Sequence, residues 1–218
     1  PYRFSSKTLR LLSTVFFLIF LYNIYVLLFR TETYNRSYEY FISISFMVSL
    51  IAVEIFFAYL SKKNVFLILA QIFLIATNLR VAPQIICSGL IGIDPWWHQI
   101  FATKILKSSH IPLGYSYSKL PVFHLVTSLT SLITGLDYKS STITSIGFSN
   151  LISLIFVFLI GRFVFNVKIG LLGSLLSGIA DWYIHAGFLM IPNTFGTVLI
   201  LVIIYIIFEL RYRFPIIT

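Results

Sequence analysis

The amino-acid sequence predicts an all-α protein: a polytopic transmembrane bundle of about six helices, with two interfacial amphipathic helices on the extracytoplasmic side. Of its 218 residues 58% are hydrophobic and only 11% are charged, whereas a soluble domain carries about 25% charged residues. So few charges cannot cover a surface that faces water, and the mean hydropathy of +0.94 agrees. The lipid bilayer is therefore the first predicted partner.

Apolar runs place the spans, because a helix needs about 20 mostly apolar residues to cross the hydrocarbon. Five runs are long enough and a sixth is shorter but strongly apolar: 11–29, 40–60, 65–91, 141–163, 169–190 and 195–210. The third run is long, and we expect it to tilt or to break near Arg80 and Pro83. Residues 1–63 then form two N-terminal spans, and residues 64–218 form a second region with an external loop, 92–140. Because the chain starts at Pro1 and stops just past a hydrophobic run, we expect a fragment of a longer protein.

Basic residues predict the orientation, since Lys and Arg collect in cytoplasmic loops. They precede the first span, separate the second from the third, occupy the turn at 162–168 and follow the last span. This pattern predicts a multi-pass protein of the cell membrane with a cytoplasmic N-terminus. The net charge of +9 does not indicate a nucleic-acid partner, because the basic residues form no single face or stripe.

The external loop contains two amphipathic patterns. Trp97, Phe101 and Ile105 recur at helical spacing opposite polar residues, which predicts a helix over about 95–107. A second pattern covers 121–136, about 24 Å of helix, which is short for a hydrocarbon core of about 30 Å. A short, two-faced helix lies at the interface more readily than it spans. If it spanned, the basic turn at 162–168 would face outward, against the charge rule.

Asp94 opens the loop within the stretch GIDPWWHQ, residues 92–99. Asp is a favoured N-cap and Pro a favoured first helical residue, so Asp94 and Pro95 are expected to start a helix. The carboxylate would equally be placed to perform chemistry at a membrane surface. Trp96 and Trp97 are typical of residues that anchor a protein at the interface. His98, four residues after Asp94, is open to three roles: helix partner, ligand or interfacial side chain.

Ionisable residues within the apolar runs each have two interpretations. Glu54 either approaches the cytoplasmic interface or belongs to a pathway through the membrane, and Arg80 either snorkels or pairs with Glu54. Asp181 and His185 share a helix face. We expect either a hydrogen bond between them or a polar cavity wall.

The order of these elements resembles the N-terminal part of the GT-C superfamily of polytopic glycosyltransferases, most of all the catalytic subunits of oligosaccharyltransferases. An apolar span ends in Gly92-Ile93-Asp94-Pro95-Trp96-Trp97-His98, two amphipathic helices follow, and a helix opening at Asp137-Tyr138 leads into the next span. The resemblance covers about residues 65–210. It implies transfer of a sugar or glycan from a polyprenyl-phosphate donor to an unidentified acceptor on the extracytoplasmic face, with Asp94 as the catalytic carboxylate. In oligosaccharyltransferases this carboxylate binds a divalent metal, which makes Mg²⁺ or Mn²⁺ at Asp94 a further expectation.

The sequence departs from the family pattern where a second acidic motif is expected, because Asn193 and Thr194 stand there. A metal-independent member, with Asp181 or His185 contributing instead, and an inactive relative both stay open. We expect the substrate to contact polar and aromatic side chains of the external regions: His98, Trp96, Trp97, Lys104, His124, Asp181, His185 and Asn193.

Two other functions remain open. In a transporter or flippase, Glu54, Arg80 and Asp181 would lie on the pathway. A non-catalytic membrane subunit would need none of them. The absence of a clear repeat and the concentration of polar residues outside the spans favour the enzyme over the transporter.

Overall fold

The computed structural model describes residues 4–32 and 35–213, the last two by their backbone only. Its α-helices, in chain order, are α1 Ser6–Phe29, α2 Tyr38–Phe57, α3 Lys62–Ile86, α4 Asp94–Ser108, α5 Val122–Thr134, α6 Tyr138–Thr142, α7 Phe148–Val164, α8 Val167–Ile179, α9 Asp181–Leu189 and α10 Pro192–Arg213. A 3₁₀ turn, Ser116–Lys119, lies between α4 and α5. A π-helical segment, Ile143–Gly147, joins α6 to α7 in one continuous helix.

The all-α, multi-pass prediction is confirmed. Within the described residues five helices are long and apolar enough to cross a membrane, and α8 with α9 makes a sixth span if that bent pair is counted as one. All six correspond to the predicted runs, and α4 and α5 lie where the two amphipathic helices were predicted. That α4 and α5 lie at a membrane interface stays a prediction.

The third and fifth apolar runs differ from the predicted helices, because the third is continuous and the fifth is broken. Helix α3 continues through Pro83 to Ile86, since a proline in the last turn leaves few backbone bonds to break. The break lies instead in the fifth run: Ala180 has extended backbone (φ −64°, ψ 132°), and α8 and α9 meet there at 57°.

Helices α1, α2 and α3 pack as a continuous bundle with polar residues inside it. Asn78 donates to the side-chain oxygen of Asn23 at 2.8 Å, and Tyr40 donates its hydroxyl to Asn78 at 2.6 Å. Asn23 in turn donates to the Tyr40 carbonyl at 3.0 Å. A polar network whose members are all paired can be buried at little cost and fixes how the helices register.

The packing defines the surroundings of two ionisable residues of the spans. Glu54, in the last turn of α2, is fully buried and accepts hydrogen bonds from Ser13 and Gln71, and its approach to the cytoplasmic interface stays a prediction. Arg80 neither snorkels nor pairs with Glu54, because it is 3% exposed and its nearest side-chain partner is Asn150 on α7. The sequence places both residues in apolar runs, but only the packing assigns them to separate helix interfaces.

Helices α7 and α8 make the closest helix contact. A Cβ atom built on Gly170 would lie 2.5 Å from the carbonyl oxygen of Phe158, and one on Gly161 would lie 2.8 Å from the Cα of Gly170. Small residues allow such close approach between membrane helices, where van der Waals contact replaces the hydrophobic effect as the driving force.

Helices α4 and α5 pack against each other over the ends of the spans. Phe101 and Ala102 of α4 are buried, and Ser128 of α5 donates to the Ala102 carbonyl at 3.0 Å. The opposite side of α5 leaves Leu132 and Ile133 exposed by 68% and 81%. This exposed apolar side is what a helix resting on a lipid surface requires.

Candidate functional site

The turn from α3 into α4 fixes the position of Asp94. Gly92 adopts a positive φ of 83°, which a residue with a Cβ disfavours. A Cβ there would also lie 3.2 Å from Leu189 at the end of α9. The chain therefore turns closely against α9 before α4 begins.

Asp94 is the first helical residue of α4 and not its N-cap, which is Ile93. The predicted cap is therefore wrong by one residue, and no side chain caps this helix end. The carboxylate is exposed. In the described part of the chain it makes no hydrogen bond or salt bridge, so it is free to face a substrate.

Trp96 and Trp97 follow Asp94 and are 50% and 65% exposed. Trp96 lies beside Gly89 in the turn after α3. Two exposed indoles next to an exposed carboxylate fit both predicted roles, contact with the membrane interface and stacking on a sugar, and the choice stays a prediction.

His98 and His124 do not face the surface with Asp94. They are 4% and 0% exposed, and His98 Nδ1 lies 3.0 Å from His124 Nε2, so one ring donates to the other. Tyr117 and Phe123 pack edge-on or tilted against this pair. The two histidines hold α4 to α5, and their predicted contact with substrate has no support in this packing.

Burial sets the protonation of this histidine pair. It lowers the pKa of His98, with the charge of Asp94 opposing the shift, and burial together with the neighbouring His98 lowers the pKa of His124 to about 4. Both rings are therefore neutral at neutral pH. The Nδ1 atom of His124 has no hydrogen-bond partner among the described residues.

The remaining predicted contact residues lie apart from one another. Lys104 donates to the Tyr115 hydroxyl and lies 4.6 Å from the centre of the Tyr115 ring. Asp181 and His185 are exposed on α9, and no hydrogen bond joins them in the described structure, so the predicted bond is wrong. Neither residue lines a described cavity, and Asn193 is exposed in the first turn of α10.

A large opening lies between α3, the π-helical segment and α9. Its volume is about 430 Å³ and its lining is apolar apart from one guanidinium and one hydroxyl: Arg80, Val81, Ile143, Thr144, Gly147, Phe148, Leu151, Gly187 and Met190. Thr144 and Phe148 are exposed, so the cavity opens sideways on the surface of the bundle. We call it the Arg80 cavity.

Arg80 is held in this cavity by the break in the fifth span. Its Nη1 donates to the carbonyls of Gly178 and Ala76 at 3.0 and 3.1 Å, and its Nη2 lies 3.4 Å from the carbonyl of Ser177. Ser177 and Gly178 lose their helical partners because α8 stops at Ile179. The guanidinium replaces them, and Nε donates to Asn150 at 2.8 Å.

No carboxylate neutralises Arg80. The only salt bridge among the described residues joins Arg30 to Glu39, at the surface. A buried cation without a counter-ion is costly in a membrane and usually marks a functional position. Asn150 is a polar residue inside an apolar run, and such a residue predicts a buried polar partner. Arg80 is that partner, and the sequence-based prediction did not include the pair.

A small second cavity lies beside the residues that border the Arg80 cavity. It is about 10 Å³, room for about one water molecule, and Met190 and Pro95 are among its lining residues. Met190 also lines the Arg80 cavity, and Pro95 is the neighbour of Asp94. Lys139, a residue that the sequence analysis missed, reaches into this space and donates to the Gln84 and Cys87 carbonyls at the end of α3.

The residues around Asp94 do not by themselves make a metal site. Among the described residues no group of three or more His, Cys, Asp or Glu side chains lies together. His98 turns away from Asp94 towards His124. A divalent ion needs several oxygen or nitrogen ligands, so the described residues around Asp94 do not suffice to bind the expected Mg²⁺ or Mn²⁺.

In comparisons with known proteins, no family model, no curated protein and no solved structure matches this chain.

Proposed function

We propose that this chain belongs to a membrane glycosyltransferase that uses a polyprenyl-phosphate sugar donor on the extracytoplasmic face. One observation carries the proposal. A cavity that opens sideways on the bundle contains a guanidinium without a counter-ion among the described residues, and its lining residue Met190 also lines a small cavity that Pro95, the neighbour of the exposed Asp94, borders. The proposed topology has a cytoplasmic N-terminus and α4 and α5 outside.

The donor's chemistry matches the two parts of this site. A polyprenyl phosphate combines an apolar chain, which enters from the lipid, with an anionic group. The walls of the Arg80 cavity are apolar, and Arg80 supplies a fixed positive charge in a place of low dielectric constant, where it acts strongly. Trp96 and Trp97 offer exposed ring faces to the sugar.

Asp94 is proposed to act on the acceptor. Its carboxylate accepts the proton from the acceptor's nucleophile while the new bond to the anomeric carbon forms. The bond from that carbon to the phosphate oxygen breaks, and polyprenyl phosphate leaves with its charge stabilised by Arg80. Proton transfer to a positioned side chain typically contributes about 10²–10⁴-fold to the rate.

Replacing Asp94 by Asn in the full-length protein tests this role. We expect sugar transfer from a radiolabelled polyprenyl-phosphate sugar, measured in isolated membranes, to fall about 10²–10⁴-fold because Asn cannot accept the proton. Asp137→Asn is the matched control. Asp137 is an exposed N-cap of α6, and Asn caps a helix as well as Asp does. If Asp94→Asn transfers sugar like the wild type, Asp94 is not the catalytic residue.

Transport is a second candidate, favoured by the break between α8 and α9. Transporters bind substrates where a span is interrupted, and the π-helical segment faces the same cavity. Glu54, Arg80 and Asp181 do not line one pathway, however, because only Arg80 borders this cavity. Movement of a labelled lipid across proteoliposomes without sugar transfer would favour the transporter over the enzyme.

A further inference from the structure

Glu54 lies in the last turn of α2 and is surrounded by α1 and α3. Its side chain has no exposed surface. The Oε1 atom accepts a hydrogen bond from Ser13 at 3.2 Å and a longer one from Gln71 at 3.4 Å. Of the seven acidic residues in the chain it is the one that is fully buried, and the other six are all at least partly exposed.

Two oxygen atoms in this cluster lack hydrogen-bond partners. Both Glu54 Oε2 and Gln71 Oε1 are buried and unpaired. An ionised Glu54 carboxylate can accept hydrogen bonds but cannot donate one. A hydrogen on Oε2 would add the donor that this group of oxygens lacks.

No positive charge compensates Glu54. Apart from Arg80, the cations on the helices packed around it are all exposed: Lys7 and Arg10 on α1, Lys62 and Lys63 on α3, and Lys168 on α8. Lys168 donates to the carbonyl of Phe56 at 2.8 Å. Arg80 is bonded to Asn150 and to backbone carbonyls.

We propose that Glu54 is a proton-binding site within the α1–α3 bundle and carries its carboxyl group in the uncharged form. An ionised carboxylate without a partner is much more costly to bury than a neutral acid, so such a group takes up a proton. The proton also supplies a hydrogen-bond donor among these buried oxygens and needs no space for an ion. The site lies apart from the Arg80 cavity and from Asp94, so it does not depend on the proposed transferase.

Infrared difference spectroscopy on the full-length protein tests this proposal. The protein is kept at neutral pH in a detergent without ester groups, so that no lipid carbonyl overlaps. We expect wild type minus Glu54→Gln to show the carbonyl band of a protonated carboxylic acid, with a small shift in D₂O. The control, wild type minus Glu39→Gln, should lack this band, since Glu39 is partly exposed and pairs with Arg30 at 2.8 Å.

Two outcomes would overturn the proposal. One is a folded wild-type protein whose spectrum contains no protonated-carboxyl band at neutral pH. The other is a band that is present in choline chloride and lost in sodium chloride, which would make the occupant a sodium ion. If Glu54→Gln does not fold, the wild-type spectrum alone, recorded in H₂O and D₂O and in both salts, still decides between these results.

Discussion

The bundle α1–α3 and the bundle α3–α7–α8–α9 share helix α3 but differ in how their buried polar groups are paired. In the first, the helices are continuous and side chains bond across them, as Asn78 bonds to Asn23. In the second, the helical path is broken at Ala180, and the continuous helix from α6 to α7 contains the π-helical segment Ile143–Gly147. There Arg80 bonds mainly to backbone carbonyls and borders the cavity.

The difference shows how a membrane helix bundle makes room for a site. A continuous helix pairs its own backbone groups, so polar side chains are left to pair with one another. An interrupted helix releases carbonyls that need donors, and a cation brought in to supply them also creates an electrostatic site. The stability of the α1–α3 bundle should therefore not depend on a charged side chain, whereas the stability of the α3–α7–α8–α9 bundle should depend on Arg80.

Replacing Arg80 by Met is the most direct test of whether the stability of the second bundle depends on a charge. It leaves the carbonyl of Gly178 and the side-chain oxygen of Asn150 without this donor, whereas the carbonyl of Ala76 keeps its bond within α3. We expect a loss of about 1–3 kcal/mol in the free energy of unfolding for each of these two buried acceptors left unpaired. Unfolding in detergent, followed by circular dichroism, measures it.

Arg10→Met is the control, because Arg10 is an exposed arginine on α1. It should unfold like the wild type. Equal stability of Arg80→Met and wild type would mean that the break at Ala180 is held by other contacts.

Adding one methyl group tests the close packing of α7 on α8. Gly170→Ala places a Cβ 2.5 Å from the Phe158 carbonyl oxygen, so the helices must separate. We expect a loss of about 1–3 kcal/mol, the usual range for overpacking. The same thermal or denaturant unfolding assay measures it.

Gly196→Ala provides the matched comparison for that substitution. Nothing lies within 4 Å of a Cβ at Gly196, which is within α10. This variant should be as stable as the wild type or more so, since Ala favours a helix by about 1 kcal/mol over Gly. Similar losses at both positions would mean that contact between α7 and α8 does not limit stability.

Acidification should loosen α4 from α5 before it affects the spans. The pKa of His124 falls from its ordinary value of 6.5 to about 4 in the folded protein, so the folded state resists protonation. The neutral histidine pair makes its full contribution to stability above about pH 6.5, and this contribution is lost as the pH falls towards 4. At about pH 5 the loss is about 2 kcal/mol. Limited proteolysis between α4 and α5, measured as a function of pH, should show this opening.

His124→Gln, which keeps a hydrogen-bonding group but does not titrate, should flatten that pH profile. A profile unchanged by this substitution would remove the histidine pair as the cause of the opening.

Local patterns predicted the elements of this protein well, and the candidate site less well. Runs of apolar residues located all six spans, and spacing located α4 and α5 within a few residues, because both signals depend on neighbours in the chain. Asp94 was predicted to be available for chemistry, and its side chain is exposed. Apart from Ala76, the hydrogen-bond partners of Arg80, His98 and Lys139 come from residues 26 to 98 positions away, and no local pattern encodes such distances.

The low charge and the repeated apolar runs are enough to predict a helical membrane protein, because a chain of this composition cannot cover a surface that faces water. The position of the break in the fifth span, and the residue that compensates for it, depend on the packing of distant helices. A run of apolar residues is equally compatible with a straight or a broken helix. The break becomes stable when Arg80, from another helix, donates to the carbonyls that it releases.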